Sequence, residues 1–242
     1  MYKRIIGLIL INNGIVCRTR NFQSDYLYTD EFIDSKYFDE IVCIDVSQER
    51  SEQSQSLFLR GIEKIMEHSQ LPLAIGGGIR SIEDIKRYRK FGADRYVINQ
   101  TDAESDTFVT KAVKEFGKSS IVSSINHWGD FTYSNGVIST KALQQRVSEI
   151  STNRGSELLL NSVERDGTLL GFDNANAQKI ANSYDMPLII SGGVGRWSHV
   201  LDTLQIENVE AVCTSNIYHL TTKTISTWRS EVKTKGGNVR TV

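Results

Sequence analysis

Proline is almost absent: Pro72 and Pro187 are the two in 242 residues. No Pro-, Gly- or Ser-rich stretch separates one part of the chain from another, so a linker-joined architecture is not expected and residues 1–242 read as one domain. Cysteine is scarce too. Cys17, Cys43 and Cys213 are odd in number, scattered and without metal-type spacing, which argues against a disulfide framework or a zinc site. Small buried thiols of this kind suit a reducing cytosol, and a cytoplasmic protein is expected. An excess of one charge is also missing. The net charge is −1 with 24% charged residues, so neither nucleic acid nor an anionic membrane is an expected partner. Lys3-Arg4 precedes an apolar run over 5–11, but Asn12-Asn13-Gly14 follows at once without a small-residue cleavage pattern. The run reads better as a buried first strand than as a signal peptide. No metal or cofactor is expected.

What the chain does have is alternation. Short apolar runs lie at 4–10, 40–46, 71–75, 95–99, 120–126, 157–161, 187–191 and 210–215. Each is too short and too apolar to be a surface helix. Longer amphipathic stretches separate them, such as 56–69, 82–91 and 106–116. Leu57, Ile62, Ile65 and Met66 recur at helical spacing in one, and Ile82, Ile85 and Tyr88 in another. Ser81 with Asp84 fits a helix N-cap. Eight strand–helix repeats predict an α/β fold closed as a (β/α)8 TIM barrel. An internal echo supports closure: Leu71-Pro-Leu-Ala-Ile-Gly-Gly-Gly-Ile79 returns as Met186-Pro-Leu-Ile-Ile-Ser-Gly-Gly-Val194, nearly half the chain later. Asn99 and Asn216 close the strands that follow. Two half-barrels explain the repeat, whereas an open doubly wound sheet does not predict it.

The glycine clusters are the first chemical signal. Gly76-Gly77-Gly78 and Gly192-Gly193-x-Gly195 each follow a strand and precede a helix. Backbone N–H groups there can close on an anion, aided by the helix N-terminus. Gly192, Gly193 and Gly195, with Ser215 and Asn216, make one candidate phosphate site, and Gly78 with Asn99 its counterpart. A phosphorylated small molecule is the ligand this implies, and tight turns alone are the plain alternative. Asp166, in Arg165-Asp166-Gly167-Thr168, reads equally as a turn residue or as a ligand contact at a strand end. His127, beside Trp128, reads more readily as a packing residue than as a base.

Lys3-Arg4-Ile5-Ile6, Gly14, Asn21-Phe22, Ile75-Gly76-Gly77-Gly78-Ile79, Gly92-Ala93-Asp94, Ile98-Asn99, Arg165-Asp166-Gly167-Thr168 and Ser191-Gly192-Gly193-x-Gly195 follow one another in order over nearly the whole chain. Together they resemble the cyclase subunit of imidazole glycerol phosphate synthase. The resemblance implies a barrel of the histidine pathway that takes ammonia from a glutaminase partner at its N-terminal face. That family closes an imidazole ring on a substrate with two phosphates. It also implies catalytic aspartates at the ends of strands one and five, where this chain has Leu10 and Asn126. Leucine cannot move a proton, and an amide is neither acid nor base at neutral pH. General acid–base catalysis contributes roughly 10²–10⁴-fold per group, so most of the chemical acceleration should be lost. Arg18 stands where the family has lysine, and Gln100 where it has a hydroxyl residue near a phosphate.

At the opposite end the resemblance implies a ring of charges gating an ammonia passage. Arg4, Glu40, Arg95 and Glu157 keep the family's signs, and Asp94 is expected in the partner contact. Strand alternation supports the geometry: Arg4 and Leu10 are six apart, Arg95 and Asn99 four apart, and Glu157 and Asn161 four apart, so each pair shares a face. A salt-bridge ring that merely closes the barrel floor is the alternative. The expected function is a cyclase-like subunit passing ammonia from a glutaminase to a separate acceptor amidotransferase. The resemblance extends to divergent members associated with amidine formation on bacterial surface sugars. One alternative is an ordinary cyclase, a lyase, using Asp45, Asp166 or His127. Another is a non-enzymatic scaffold that binds a phosphate ligand.

Overall fold

A computed structural model describes residues 2–27, 38–49, 51–67, 69–101, 103–152, 155–215 and 225–240. Eight strands pair in parallel around a closed circuit: β1 (Arg4–Asn12), β4 (Glu40–Asp45), β5 (Leu73–Gly76), β6 (Arg95–Asn99), β7 (Ile121–Trp128), β10 (Glu157–Ser162), β11 (Leu188–Ser191) and β12 (Val209–Thr214), which returns to β1. Helices α1 (Glu52–Met66), α2 (Ile82–Phe91), α3 (Asp106–Phe116), α4 (Leu143–Ile150), α5 (Asn174–Ser183), α6 (Trp197–Leu204) and α7 (Ile225–Thr234) lie between or after them. This is a (β/α)8 barrel. No helix among the described residues is long and apolar enough to cross a membrane.

The eight apolar runs are the eight barrel strands, with shifted edges. The third begins at Leu73 rather than at 71, because Pro72 has no N–H for the ladder, although its carbonyl accepts from Ile41 N–H at 2.9 Å. The first helix begins at Glu52, ahead of the expected 56, because Ser51 and Ser54 form a capping box. Ser81 and Asp84 form a second one at the start of α2, as their spacing predicts.

The sequence reading passed over two antiparallel hairpins. β2 (Ile15–Arg20) and β3 (Gln23–Leu27) follow β1, and β8 (Phe131–Ser134) and β9 (Val137–Ala142) follow β7. Each is inserted after the first strand of its half, so the half-barrel repeat extends to the insertions. The apolar shell is divided in the same way. One outer cluster joins Ile9, Cys43, Ile75 and Ile98 to Phe58, Ile62 and Ile85, and the other joins Ile125, Leu160, Ile190 and Val212 to Val147, Ile180 and Val200.

Inside the barrel, alternate residues form layers. Arg4, Ile6, Leu8 and Leu10 follow one another on the inner face of β1. Glu40, Val42 and Ile44 do so on β4, Arg95, Val97 and Asn99 on β6, and Glu157, Leu159 and Asn161 on β10. Ile6, Leu8, Val42, Ala74, Val97, Val122, Leu159, Ile189, Ala211 and Cys213 make the middle an apolar plug. Charges lie below it and polar groups above it.

Candidate functional site

The floor is built by four strand beginnings. Arg4 Nη1 donates to Glu40 Oε2 at 2.8 Å, Arg95 Nη1 donates to both Glu40 oxygens at 3.2 Å, and each arginine also bonds Glu157. Arg95 Nη2 reaches Ser156 Oγ at 3.1 Å as well. The signs alternate around the barrel axis and every charge is paired twice, which makes a closed ring without net charge. Burial raises the Glu40 carboxyl above its ordinary range, while Arg95 and Arg4 draw it back. Burial works against the charge on Arg4, yet Glu157 and Glu40 outweigh it and leave the guanidinium held more firmly protonated.

The mouth holds a narrow cleft with about 40 Å³ of free space. Leu8, Leu10 and Cys213 line its apolar side, and Thr19, Asn161, Asp166, Ser191 and Ser215 supply polar groups. Among the described residues Asp166 is the one carboxylate on its wall. Thr19 Oγ1 donates to Asp166 Oδ2 at 2.6 Å, and Phe22 N–H donates to the same oxygen at 3.1 Å. Burial raises this carboxyl, and those two donors only partly offset it. Such a group is a candidate proton carrier in a cleft.

The candidate phosphate residues separate into two groups. Gly192, Gly193 and Ser215 line the cleft. Gly192 and Gly193 have φ of 98° and 93°, and a Cβ on either would lie 2.4 Å from a neighbouring carbonyl, of Ser162 or Gly171. Close backbone approach therefore already demands glycine there. The Gly195 N–H is engaged by His199 Nδ1 at 3.2 Å. Gly78 and Asn99 are exposed at the ends of neighbouring strands, outside the cleft, and Asn99 Oδ1 accepts from Thr101 N–H at 2.7 Å. Asn216 lies outside the described residues.

Leu10 lines the cleft. Asn126 does not, but its Oδ1 accepts from Asn161 Nδ2 at 3.4 Å. Asp45 and His127 are not brought to the cleft, because each falls one residue off the inward phase. Asp45 is buried outside the barrel, where Oδ1 accepts from Ser47 N–H at 3.0 Å. His127 faces α5, donates from Nδ1 to the Gly129 carbonyl at 3.0 Å, and is driven towards its neutral form by burial. Gln100 is buried and donates to Asp106 Oδ1 at 3.2 Å, while Arg18 is half-buried on β2, outside the cleft lining. At the opposite end Asp94 is exposed, accepts from Leu73 N–H at 2.9 Å, and borders an open groove with Arg60, Glu63, Lys64, Glu67 and Lys90.

Sequence reasoning missed Thr19 and Phe22, whose partner Asp166 lies far along the chain. The signal within reach was the turn: Asn21-Phe22 follows Asn13-Gly14 by eight residues, a hairpin spacing.

The family described as histidine biosynthesis protein matches residues 4–224. Imidazole glycerol phosphate synthase subunit HisF of Saccharolobus solfataricus is 30% identical over 253 residues, covering 98% of each chain. The same subunit of Exiguobacterium sibiricum is 29% identical, over 99% of this chain and 100% of its own. That of Chloroherpeton thalassium is 28% identical, over 98% of each. The chain belongs to the histidine biosynthesis protein family.

Proposed function

We propose that this member of the histidine biosynthesis protein family is a HisF-like barrel subunit of a glutamine-dependent system, which passes ammonia from a glutaminase at its floor to an acceptor at its mouth. One observation carries the reading. The strands that begin in Arg4, Glu40, Arg95 and Glu157 carry their inward faces through an apolar middle to the mouth, where Leu10 and Asn161 line the cleft. Nitrogen would cross that middle as neutral ammonia, because an ammonium ion there would lose its solvation without a partner. The ring is closed by its own ion pairs, so entry requires one pair to part. Asp94 and the charged groove beside it are where a glutaminase would dock and bias that opening. Gly192, Gly193 and Ser215 would hold one phosphate of a ligand at the mouth, with Gly78 and Asn99 the second anion position.

Leu10 and Asn126 stand where the resemblance places the catalytic aspartates, so the acceptor chemistry belongs to another protein. In the finer version of this reading that protein is an amidotransferase forming an amidine on a bacterial surface sugar. The second reading is a cyclase of histidine biosynthesis. The names of full-length relatives favour it, as does Asp166 in the cleft. A steady-state assay with the two-phosphate substrate of imidazole glycerol phosphate synthase and excess ammonium salt separates the two. No appreciable turnover is expected, with partial gain in Leu10→Asp/Asn126→Asp. Turnover near the ~10 s⁻¹ of an ordinary enzyme would establish the cyclase instead.

A further inference from the structure

Beside the cleft, across Phe22, lies an open recess of about 440 Å³, walled by Asn12, Phe22, Gln23, Ser24, Val46 and Gln48. None of these residues is charged, in a chain where 24% are. Its polar groups are three amides and a hydroxyl, each able both to donate and to accept. Asn12 is already engaged, with Nδ2 donating to Ser24 Oγ at 3.4 Å and Oδ1 accepting from Asn13 Nδ2 at 3.0 Å. The amides of Gln23 and Gln48 bond to no described protein group and remain available to the recess.

The backbone at Phe22 is the second observation. Among the described residues, three two-residue hairpin loops have both residues at positive φ. Two are Asn-Gly: Asn13-Gly14 at 48° and 82°, and Asn135-Gly136 at 51° and 83°. The third is Asn21-Phe22 at 51° and 66°. Asn-Gly is the favoured sequence for such a loop, and an L-residue with a bulky side chain in the left-handed region is strained by roughly 1–2 kcal/mol. The surroundings hold it there. Asn21 N–H donates to the Asp166 carbonyl at 3.2 Å, Asn21 Nδ2 donates to the carbonyls of Val163 and Glu164 at 2.9 and 3.1 Å, and Phe22 N–H donates to Asp166 Oδ2. The result is an aromatic ring, 38% exposed, fixed between recess and cleft and meeting Tyr133 nearly perpendicularly at 6.1 Å. A hairpin by itself has no use for that ring, and strain of this kind collects at functional sites.

We propose that the recess binds an uncharged, polyhydroxylated ring, a sugar, whose C–H face lies on Phe22 and whose hydroxyl groups bond to Gln23 and Gln48. Apolar contact with the aromatic ring supplies area, and the two amides supply orientation without selecting for charge. Binding here needs neither partner nor ammonia, so its failure leaves the ammonia-passing reading standing, and the reverse holds too.

Saturation-transfer NMR on the full chain tests this with N-acetylglucosamine as the neutral ring and ribitol as an open-chain polyol. Transfer to the sugar ring protons is expected at millimolar sugar and little to ribitol. Gln48→Leu and Phe22→Asn should each weaken the sugar by roughly 5- to 10-fold, as expected for loss of one such contact. Thermal unfolding will verify that both variants fold, and Asn is at ease in the loop. Absence of transfer to the sugar overturns the proposal. So does equal or stronger transfer to ribitol, which denies the ring, or sugar binding unchanged in both variants, which places it elsewhere.

Discussion

At the floor of the barrel four charges meet and each is paired twice. At the mouth one carboxylate, Asp166, lies among hydroxyls, amides, glycine turns and a phenylalanine held in a left-handed backbone. The floor satisfies its own polar groups and closes. Beside the mouth the amides of Gln23 and Gln48 meet no described protein group, and the mouth keeps backbone conformations that only its surroundings maintain. Barrels of this kind work at the C-terminal end of their strands, while the N-terminal end normally serves stability. Here the stability end carries a ring of buried ion pairs, a poor way to gain stability compared with apolar packing, and the proposed function makes that ring the gate of a passage.

The largest expected effect breaks the floor. Glu157→Ala leaves Arg4 and Arg95 each short of one partner in a largely buried ring and should lower unfolding free energy by about 3 kcal/mol in a urea titration. In a reconstituted system it should damage glutamine-dependent product formation more than ammonium-dependent formation. Equal losses would leave the ring a structural clasp. Replacing all four members with Met or Leu should recover much of the stability while still blocking glutamine-dependent transfer, which sharpens the distinction.

The next prediction concerns the glycine turn at the mouth. Gly193→Ala combines a φ of 93° with a Cβ placed 2.4 Å from the Gly171 carbonyl, and should destabilise by roughly 2–3 kcal/mol. Gly92→Ala meets a φ of 106° with nothing within 4 Å, and should cost about 1 kcal/mol. Thermal melts of the two variants isolate the close approach, and equal shifts would show that the turn is not tight. Phe22→Asn should go the other way. Relief of the left-handed strain, less the lost contact with Tyr133, predicts a gain of under about 1 kcal/mol. A loss of stability there would remove the strain argument for a ligand.

The smallest effect is pH-dependent. Burial raises the Asp166 carboxyl, so the folded chain holds that proton above the ordinary carboxylate range while the unfolded chain releases it. Stability from this group is present in acid and is lost as pH rises from the unfolded value through the raised folded one. Asp166→Asn removes that loss and can still accept from Thr19 and Phe22. Its melting temperature should therefore exceed the parent's at neutral pH, with the difference from this group fading in acid. An unchanged difference across pH would mean that Asp166 ionises normally.

Much of the architecture was legible. Eight apolar runs and the Ser81–Asp84 cap led to the barrel, because strand length and capping chemistry are local. The resemblance singled out Arg4, Glu40, Arg95 and Glu157, and alternation set Arg4, Arg95 and Glu157 on the inner face. The same rule, applied one residue further, would have turned His127 and Asp45 outward, since neighbours on a strand face opposite sides. The hairpins were overlooked although Asn13-Gly14 and Asn135-Gly136 announce them, because exposed Val137 and Ile138 carry little burial pattern.

By itself the sequence determined which apolar runs form the eight barrel strands, which alternate residues share a face, and that two glycine turns recur half a chain apart. These follow from periodicity and turn chemistry, which act over a few residues. Only the tertiary structure decided that the floor ring closes on itself and that Asn126 meets Asn161. It also decided that the Phe22 N–H, 144 residues away, falls on the carboxylate of Asp166. Those contacts depend on barrel closure and strand register, which bring together distant segments that no local pattern relates.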